Sequence, residues 1–189
     1  MIPDNGKKLE AIILELAHLN SLEEDFIEWL ESCNHFCNSL VDRIVPGKPE
    51  PAVLEDLEKS LGYKDELITM SEVYRLWAIE GDETVKNILS FAQADEGVVI
   101  TKDIDLYREL KLRLLNGTHT LSCGAAYLSG FTTVKESLDN ETFLNFLIQL
   151  MQQEIAPSIP YKIDPTVAQE FSAKVVDRFR NPHLKHNWI

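Results

Sequence analysis

No glycine pair in the G-x-G arrangement occurs anywhere in this chain, although it contains eight glycines. A dinucleotide fingerprint and a phosphate-cradling loop both need such closely spaced glycines, so neither lies within these residues. A G-x-S-x-G nucleophile elbow is also missing. Cysteine is scarce, with three residues and no framework spacing, which suits a reducing cytoplasm better than a disulfide scaffold. Long apolar runs are lacking too. Stretches such as "FLNFLIQLM" fall well short of the ~20 residues that a membrane span requires, and no secretory leader is recognisable at the start. Basic residues are outnumbered, 18 against 31 acidic, giving a net charge of −13 and no clustered basic surface for nucleic acid.

What remains is a chain of 189 residues, 44% hydrophobic, enough for one good core or two small ones. "CNHFC" places Cys33, His35 and Cys37 close together, but no second ligand pair follows at zinc spacing, so buried thiols are expected and no metal. "NGKKLEAIILELAHL" sets Leu9, Ile12, Ile13, Leu16 and Leu19 on one helical face. "SLEEDFIEWLESC" predicts a second helix, opened by a capping box from Ser21 to Glu24. "NSLVDRIVP", "VYRLWAIEG" and "GVVIT" read as strands, and "PAVLEDLEKSLG" as a short helix with proline at its start and glycine after its end. From Asp103 onward the pattern is helical, over 103–116, 118–129, 140–155 and 165–180. The composition shift near 101–104 marks the internal boundary. Strands without a full sheet to join expose their edges, which predicts self-association.

The segment "ELKLRLLNGTHTL" carries more chemistry than a core helix needs. At about 100° per residue, Lys111 at zero puts His119 near 80° and Asn116 near 140°, with Arg108 between Lys111 and His119. "NG" is also a turn signal, so the helix could instead break at Gly117 with Thr118 capping a new one. A solvated polar face is the plain reading of such a trio. Carbonyl chemistry is the sharper one. A lysine can exchange a proton with a carbonyl oxygen, an amide can hold a developing oxyanion, and an imidazole can fix a neighbouring hydroxyl. Spacing alone does not choose between them.

Four stretches together resemble one family. "KLRLLNGTH" is similar to the K-x4-N-x2-H motif of the polyol-specific long-chain dehydrogenases, the mannitol dehydrogenase family. "FCNSLVDRIVPG" resembles its F-x2-small-x-V-D-R-I-x-P signature, "DRFRNPHLKH" its R-F-x-N-P segment, and "MIPDNGKKL" the end of its E-L-I-x-x-N-G run. The resemblance implies an α+β, mainly α fold. Residues 1–102 would be the tail of a dinucleotide-binding α/β domain, and 103–189 the first part of a helical substrate domain. It implies Lys111 as general acid/base, Asn116 as oxyanion donor, His119 as the residue that orients substrate, and Asn38 as a second amide. NAD would be the cofactor, held mainly by a glycine loop upstream of this chain, so the isolated chain would be inactive. "LWAIEG", "LRLLNGTHT" and the His186 that follows "RFRNP" resemble most the branch that reduces keto-uronates to sugar acids in hexuronate breakdown. A mannitol-, fructuronate- or arabinitol-type dehydrogenase and a non-catalytic helical binding module are the alternatives.

Overall fold

The computed structural model describes residues 2–189; Met1, the first residue of the "MIPDNGKKL" stretch, lies outside the described residues. The chain forms two compact units. The first contains the residues up to Asp42 together with Leu76–Tyr107; the second contains Arg43–Arg75 and Arg108–Ile189. The architecture is α+β and mainly helical.

In the first unit, β1 (Ser39–Asp42), β2 (Leu76–Glu80) and β3 (Val98–Thr101) form a three-stranded sheet in that order. β1 runs antiparallel to β2, pairing Leu40 with Ala78, while β3 runs parallel to β2, pairing Ala78 with Val99. A parallel neighbour requires a crossover, and the short helix α4 (Glu83–Ile88) supplies part of it. Asp82 starts α4 by accepting from the backbone N–H groups of Thr84 (2.9 Å) and Val85 (3.1 Å). Leu40, Ala78 and Ile104 make the core, with Leu76 and Tyr107 packed against it. The helix α1 (Asn5–Leu19) is stitched to β1 at its start: Asn5 Nδ2 donates to the Ser39 carbonyl and Ser39 N–H donates back to Asn5 Oδ1, both at 2.9 Å. Gly6 is required there, because a Cβ would sit 2.4 Å from the Cys37 carbonyl.

Three expectations change. The thiols are not buried: Cys33 is exposed, and Cys37 and Cys123 are half-buried. Leu9, Ile12, Leu16 and Leu19 do share a face of α1, but each is more than half exposed. The capping box at Ser21 does not form. Ser21 has φ 52 in the turn after α1, and α2 (Glu24–Cys33) starts from Glu23 without a side-chain cap. The chain needs that left-handed turn to reverse between α1 and α2, and it leaves Ser21 too early to cap. A capping box occurs elsewhere, where Thr133 and Glu136 open α7 (Val134–Leu138).

In the second unit, residues 43–75 carry α3 (Pro51–Leu61) and return through a bridge between Gly47 and Met70. Glu72 pins this excursion. Its Oε1 accepts from Ile44 N–H at 2.6 Å and from Arg178 Nη2 at 2.7 Å, and Arg178 Nε donates to both carboxylate oxygens at 3.1 Å. Arg43 Nε donates to the Glu72 carbonyl at 2.9 Å, and the Arg178 guanidinium lies 4.2 Å over the Tyr74 ring. Glu72 and Arg178 are only 3% and 8% exposed. The "DRI" and "RF" pieces of the sequence motifs therefore meet through a glutamate that neither contains.

Arg178 belongs to α9 (Pro165–Phe179), begun by Asp164, which accepts from Thr166 N–H at 2.8 Å. α9 packs against the stretches Leu110–Gly117 and Leu150–Ile155 and against α7. The same unit holds α6 (Thr118–Leu128) and α8 (Glu141–Gln149), the latter started by Asn140 accepting from Phe143 N–H at 3.0 Å. Leu114, Val134, Leu138, Leu147, Met151 and Val175 fill the interior. The regular α-helices expected over 103–116 and 140–155 are interrupted: Leu110–Gly117 and Leu150–Ile155 are π-helical. Gly117 does not break the helix and Thr118 does not cap one; both keep α-helical torsions, at φ −61, ψ −44 and φ −59, ψ −46.

Removing one partner strands the other as an uncompensated buried charge. Arg178→Ala should therefore lower the unfolding free energy of the second unit by about 3–5 kcal/mol, read by urea denaturation. A loss below about 1 kcal/mol would mean that the pair is solvated and incidental.

Candidate active site

The π-helical stretch changes the geometry of the Lys111, Asn116 and His119 set. In an i→i+5 ladder each turn holds more residues, and residues five apart become neighbours along the axis. Asn116 follows Lys111 by five, so it returns to the same side of the helix, where an α-helix would rotate it away by more than a third of a turn. The sequence gives no warning of this widening; even Gly117 is not sterically required, since a Cβ there would meet the Leu112 carbonyl at an ordinary 3.4 Å. Lys111 is half-buried and Asn116 exposed.

His119 stands on the first turn of α6 among aromatic rings. The His186 ring stacks on it at 4.9 Å with 6° between planes. Trp188 approaches at 4.9 Å, and Phe179 meets it edge-on at 6.4 Å. Trp188 is buried, and its Nε1 donates to Ser137 Oγ at 3.2 Å. The His119 side chain bonds to the Asn187 backbone, while its Nε2 is buried without a protein partner. Nδ1–H is therefore the donor to the Asn187 carbonyl, which leaves a lone pair on Nε2. Burial pushes His119 below the usual imidazole range, against the upward pull of the Asn187 bond. Burial lowers His186 as well, reinforced by repulsion from His119. Two imidazoles in contact cannot both be charged cheaply.

A cavity of about 400 Å³ is lined by Ile44, Leu115, Asn116, His119, Thr120, Phe179 and His186. It brings together Asn116 and His119. Lys111 lies outside this lining, one widened turn before Asn116. The aromatic surroundings of His119 were missed by periodicity, because Phe179, His186 and Trp188 come from a helix end and the irregular segment after it.

Asn38 belongs to the first unit and is 5% exposed. Its Oδ1 accepts from Gly6 N–H (3.0 Å) and Lys7 N–H (3.3 Å), and its Nδ2 donates to Glu80 Oε2 at 3.2 Å. An open cavity of about 450 Å³ beside it is bordered by Asn34–Asn38, Glu80–Asp82, Lys7, Glu10, Val85 and Lys102. Burial, then the carboxylates of Asp82 and Glu80, push the Cys37 thiol up. Gly81 is small for packing: a Cβ would lie 2.8 Å from the Val85 side chain. With Gly6 likewise committed to the Cys37 backbone, these described residues make no glycine cradle for a pyrophosphate.

The mannitol dehydrogenase Rossmann domain model matches residues 1–92, and the mannitol dehydrogenase C-terminal domain model matches residues 103–189. The chain belongs to the mannitol dehydrogenase family. Among curated relatives, the altronate oxidoreductase of Bacillus subtilis (strain 168) is 39% identical over 186 residues, 98% of this chain. That of Cronobacter sakazakii is 37% identical over all 189. The chain spans about 38% of the length of either. A substrate-free D-sorbitol dehydrogenase shares the fold, with a TM-score of 0.73 at 20% identity over 99% of this chain and 37% of its own. The Pseudomonas fluorescens mannitol 2-dehydrogenase ternary complex with NAD and D-mannitol gives 0.66 at 25% identity with the same coverage. In this mannitol dehydrogenase family chain, the motif residues Lys111, Asn116 and His119 thus lie on a π-helical stretch and the helix that continues it.

The stacked histidines give the chain a pH signature. Their folded values lie below the unfolded 6.5, so the unfolded chain binds more protons once the pH falls through that value. Stability from this source is complete above about 6.5 and is lost as the pH falls toward the folded values. Melting temperature should drop on acidification from pH 7.5 to 5, and His186→Phe should flatten that slope. An unchanged slope in the variant would show that the stack is not what titrates.

Proposed function

We propose that the chain carries the substrate-side chemistry of an NAD-linked oxidoreductase that interconverts a keto-uronate and its sugar acid, of the tagaturonate–altronate type, in cytoplasmic hexuronate catabolism. The observation that carries this reading is the Lys111–Asn116–His119 set beside a concave, partly aromatic cavity, together with relatives named altronate oxidoreductase. Residues 1–102 would be the tail of the dinucleotide-binding domain and 103–189 the start of the helical one.

When bound, the nicotinamide coenzyme supplies or accepts the hydride. The chain's own residues manage the proton and the oxygen. In reduction, the Lys111 ammonium gives a proton to the oxygen that becomes a hydroxyl; in oxidation, the neutral amine takes it back. The Asn116 amide donates to that oxygen as its charge develops. The Nε2 lone pair of His119 accepts from an adjacent sugar hydroxyl, and the bond from Nδ1–H to Asn187 fixes the tautomer that makes this possible. Asn38, the second amide that the family motif offers, is held by Gly6, Lys7 and Glu80 within the first unit. Self-association through exposed strand edges belongs to the same reading, with β1 and β3 at the edges of the sheet.

With no glycine cradle among the residues described, the isolated chain should show no NAD-dependent turnover. The activity is testable by replacing the matching 186 residues of the Bacillus subtilis altronate oxidoreductase with this chain. The chimera should reduce NAD with altronate. Within it, Lys111→Ala should lower turnover ~10²–10⁴-fold and Asn116→Ala roughly 10²–10³-fold. Asn116 is exposed, so its variant should melt almost as the parent does. A folded chimera that kept most of its turnover after Lys111→Ala would reduce Lys111 to a surface residue.

A further inference from the structure

We propose that His186 selects for the carboxylate of a sugar acid over neutral polyols by donating a ring N–H to it within the His119 cavity. The proposal rests on the reading above that this cavity receives the sugar acid.

A carboxylate entering a partly apolar cavity needs a donor beside it to offset its desolvation. Of the residues lining it, only His119 and His186 can carry positive charge. They are not equivalent. His119 has spent Nδ1–H on the Asn187 carbonyl and offers an Nε2 lone pair, which suits a hydroxyl and repels a carboxylate. With Lys111 assigned to the reacting oxygen, the anionic end falls, among these lining residues, to His186.

His186 is also held well enough to discriminate. Its carbonyl accepts from Val134 N–H at 2.9 Å, its N–H donates to the Leu184 carbonyl at 2.9 Å, and Asn187 beside it bridges to Thr133. The flat stack on His119 fixes the ring plane, with Phe179 edge-on at 6.0 Å. Ordering costs are thus already met before a ligand arrives. The two imidazoles divide the work, His119 reading a hydroxyl and His186 the acid group.

The test is titration of the 189-residue chain with sodium D-altronate and, separately, with D-altritol, its neutral counterpart, by calorimetry and ligand-observed NMR. Wild type should prefer altronate. His186→Phe keeps a stacking ring but loses the donors, so altronate affinity should fall about 10- to 100-fold while that for altritol stays within about threefold. His186→Gln, which restores a neutral donor, should recover part of the preference, and circular dichroism checks that both variants fold. If altronate binds the wild type and His186→Phe leaves the preference intact, this assignment falls while the function proposed above stands. If altronate fails to bind the wild type at all, the cavity is not the sugar-acid site and both fall together.

Discussion

The second unit depends on one buried ion pair. Glu72 and Arg178 lie 106 residues apart in sequence and meet almost out of reach of water. Two charges in such a place are tolerated only when their hydrogen bonds are complete, and here they are unusually complete. The carboxylate takes the guanidinium and the backbone N–H of Ile44, while the guanidinium also covers the ring of Tyr74. The consequence reaches the cavity. Ile44 is one of its walls, and Phe179, the residue after Arg178, is another. The pair thus joins the excursion at 43–75 to the end of α9 and sets the distance between two sides of the site.

The other constraint is helical. A π-helical stretch is held in place only by its surroundings, because its wide turn packs less well on its own axis. Here it buries its own Leu110, Leu114 and Leu115, and is followed without a break by α6. The widened turn puts an amine and an amide on one side of the helix. The next turn puts His119 among three aromatic rings and turns one of its nitrogens toward a carbonyl. Local backbone geometry and distant side chains so converge on the same few residues.

Much of this was legible in the sequence, for identifiable reasons. α1, α3, α8 and α9 follow apolar spacing and cap chemistry that act within one turn, as with Asn140 and Asp164. The strands were found but overextended. "NSLVDRIVP" pairs only over Ser39–Asp42, because beyond Asp42 the backbone turns toward Glu72. The short helices α4 and α7 were invisible to periodicity, being too short to show a period, although Asp82 and Thr133 are good cap residues. The π register was invisible for a different reason: it depends on packing, and no residue type encodes it. The chemistry-bearing trio was quoted from sequence, yet the company His119 keeps was not, since Phe179, His186 and Trp188 reach it only through tertiary structure.

The claim that the Glu72–Arg178 pair builds the cavity is open to one direct measurement. In the double variant Glu72→Met/Arg178→Met both charges go, so the helices can persist without a stranded ion. The ring ¹H–¹³C shifts of His119 and His186 then report the walls, because both rings lie in the field of Phe179 and that of His119 also in the field of Trp188. With Ile44 and Phe179 released, the account predicts that these shifts move toward exposed-histidine values while helical circular dichroism is retained. Unchanged shifts in a folded double variant would contradict it, and would show that the cavity stands without the pair.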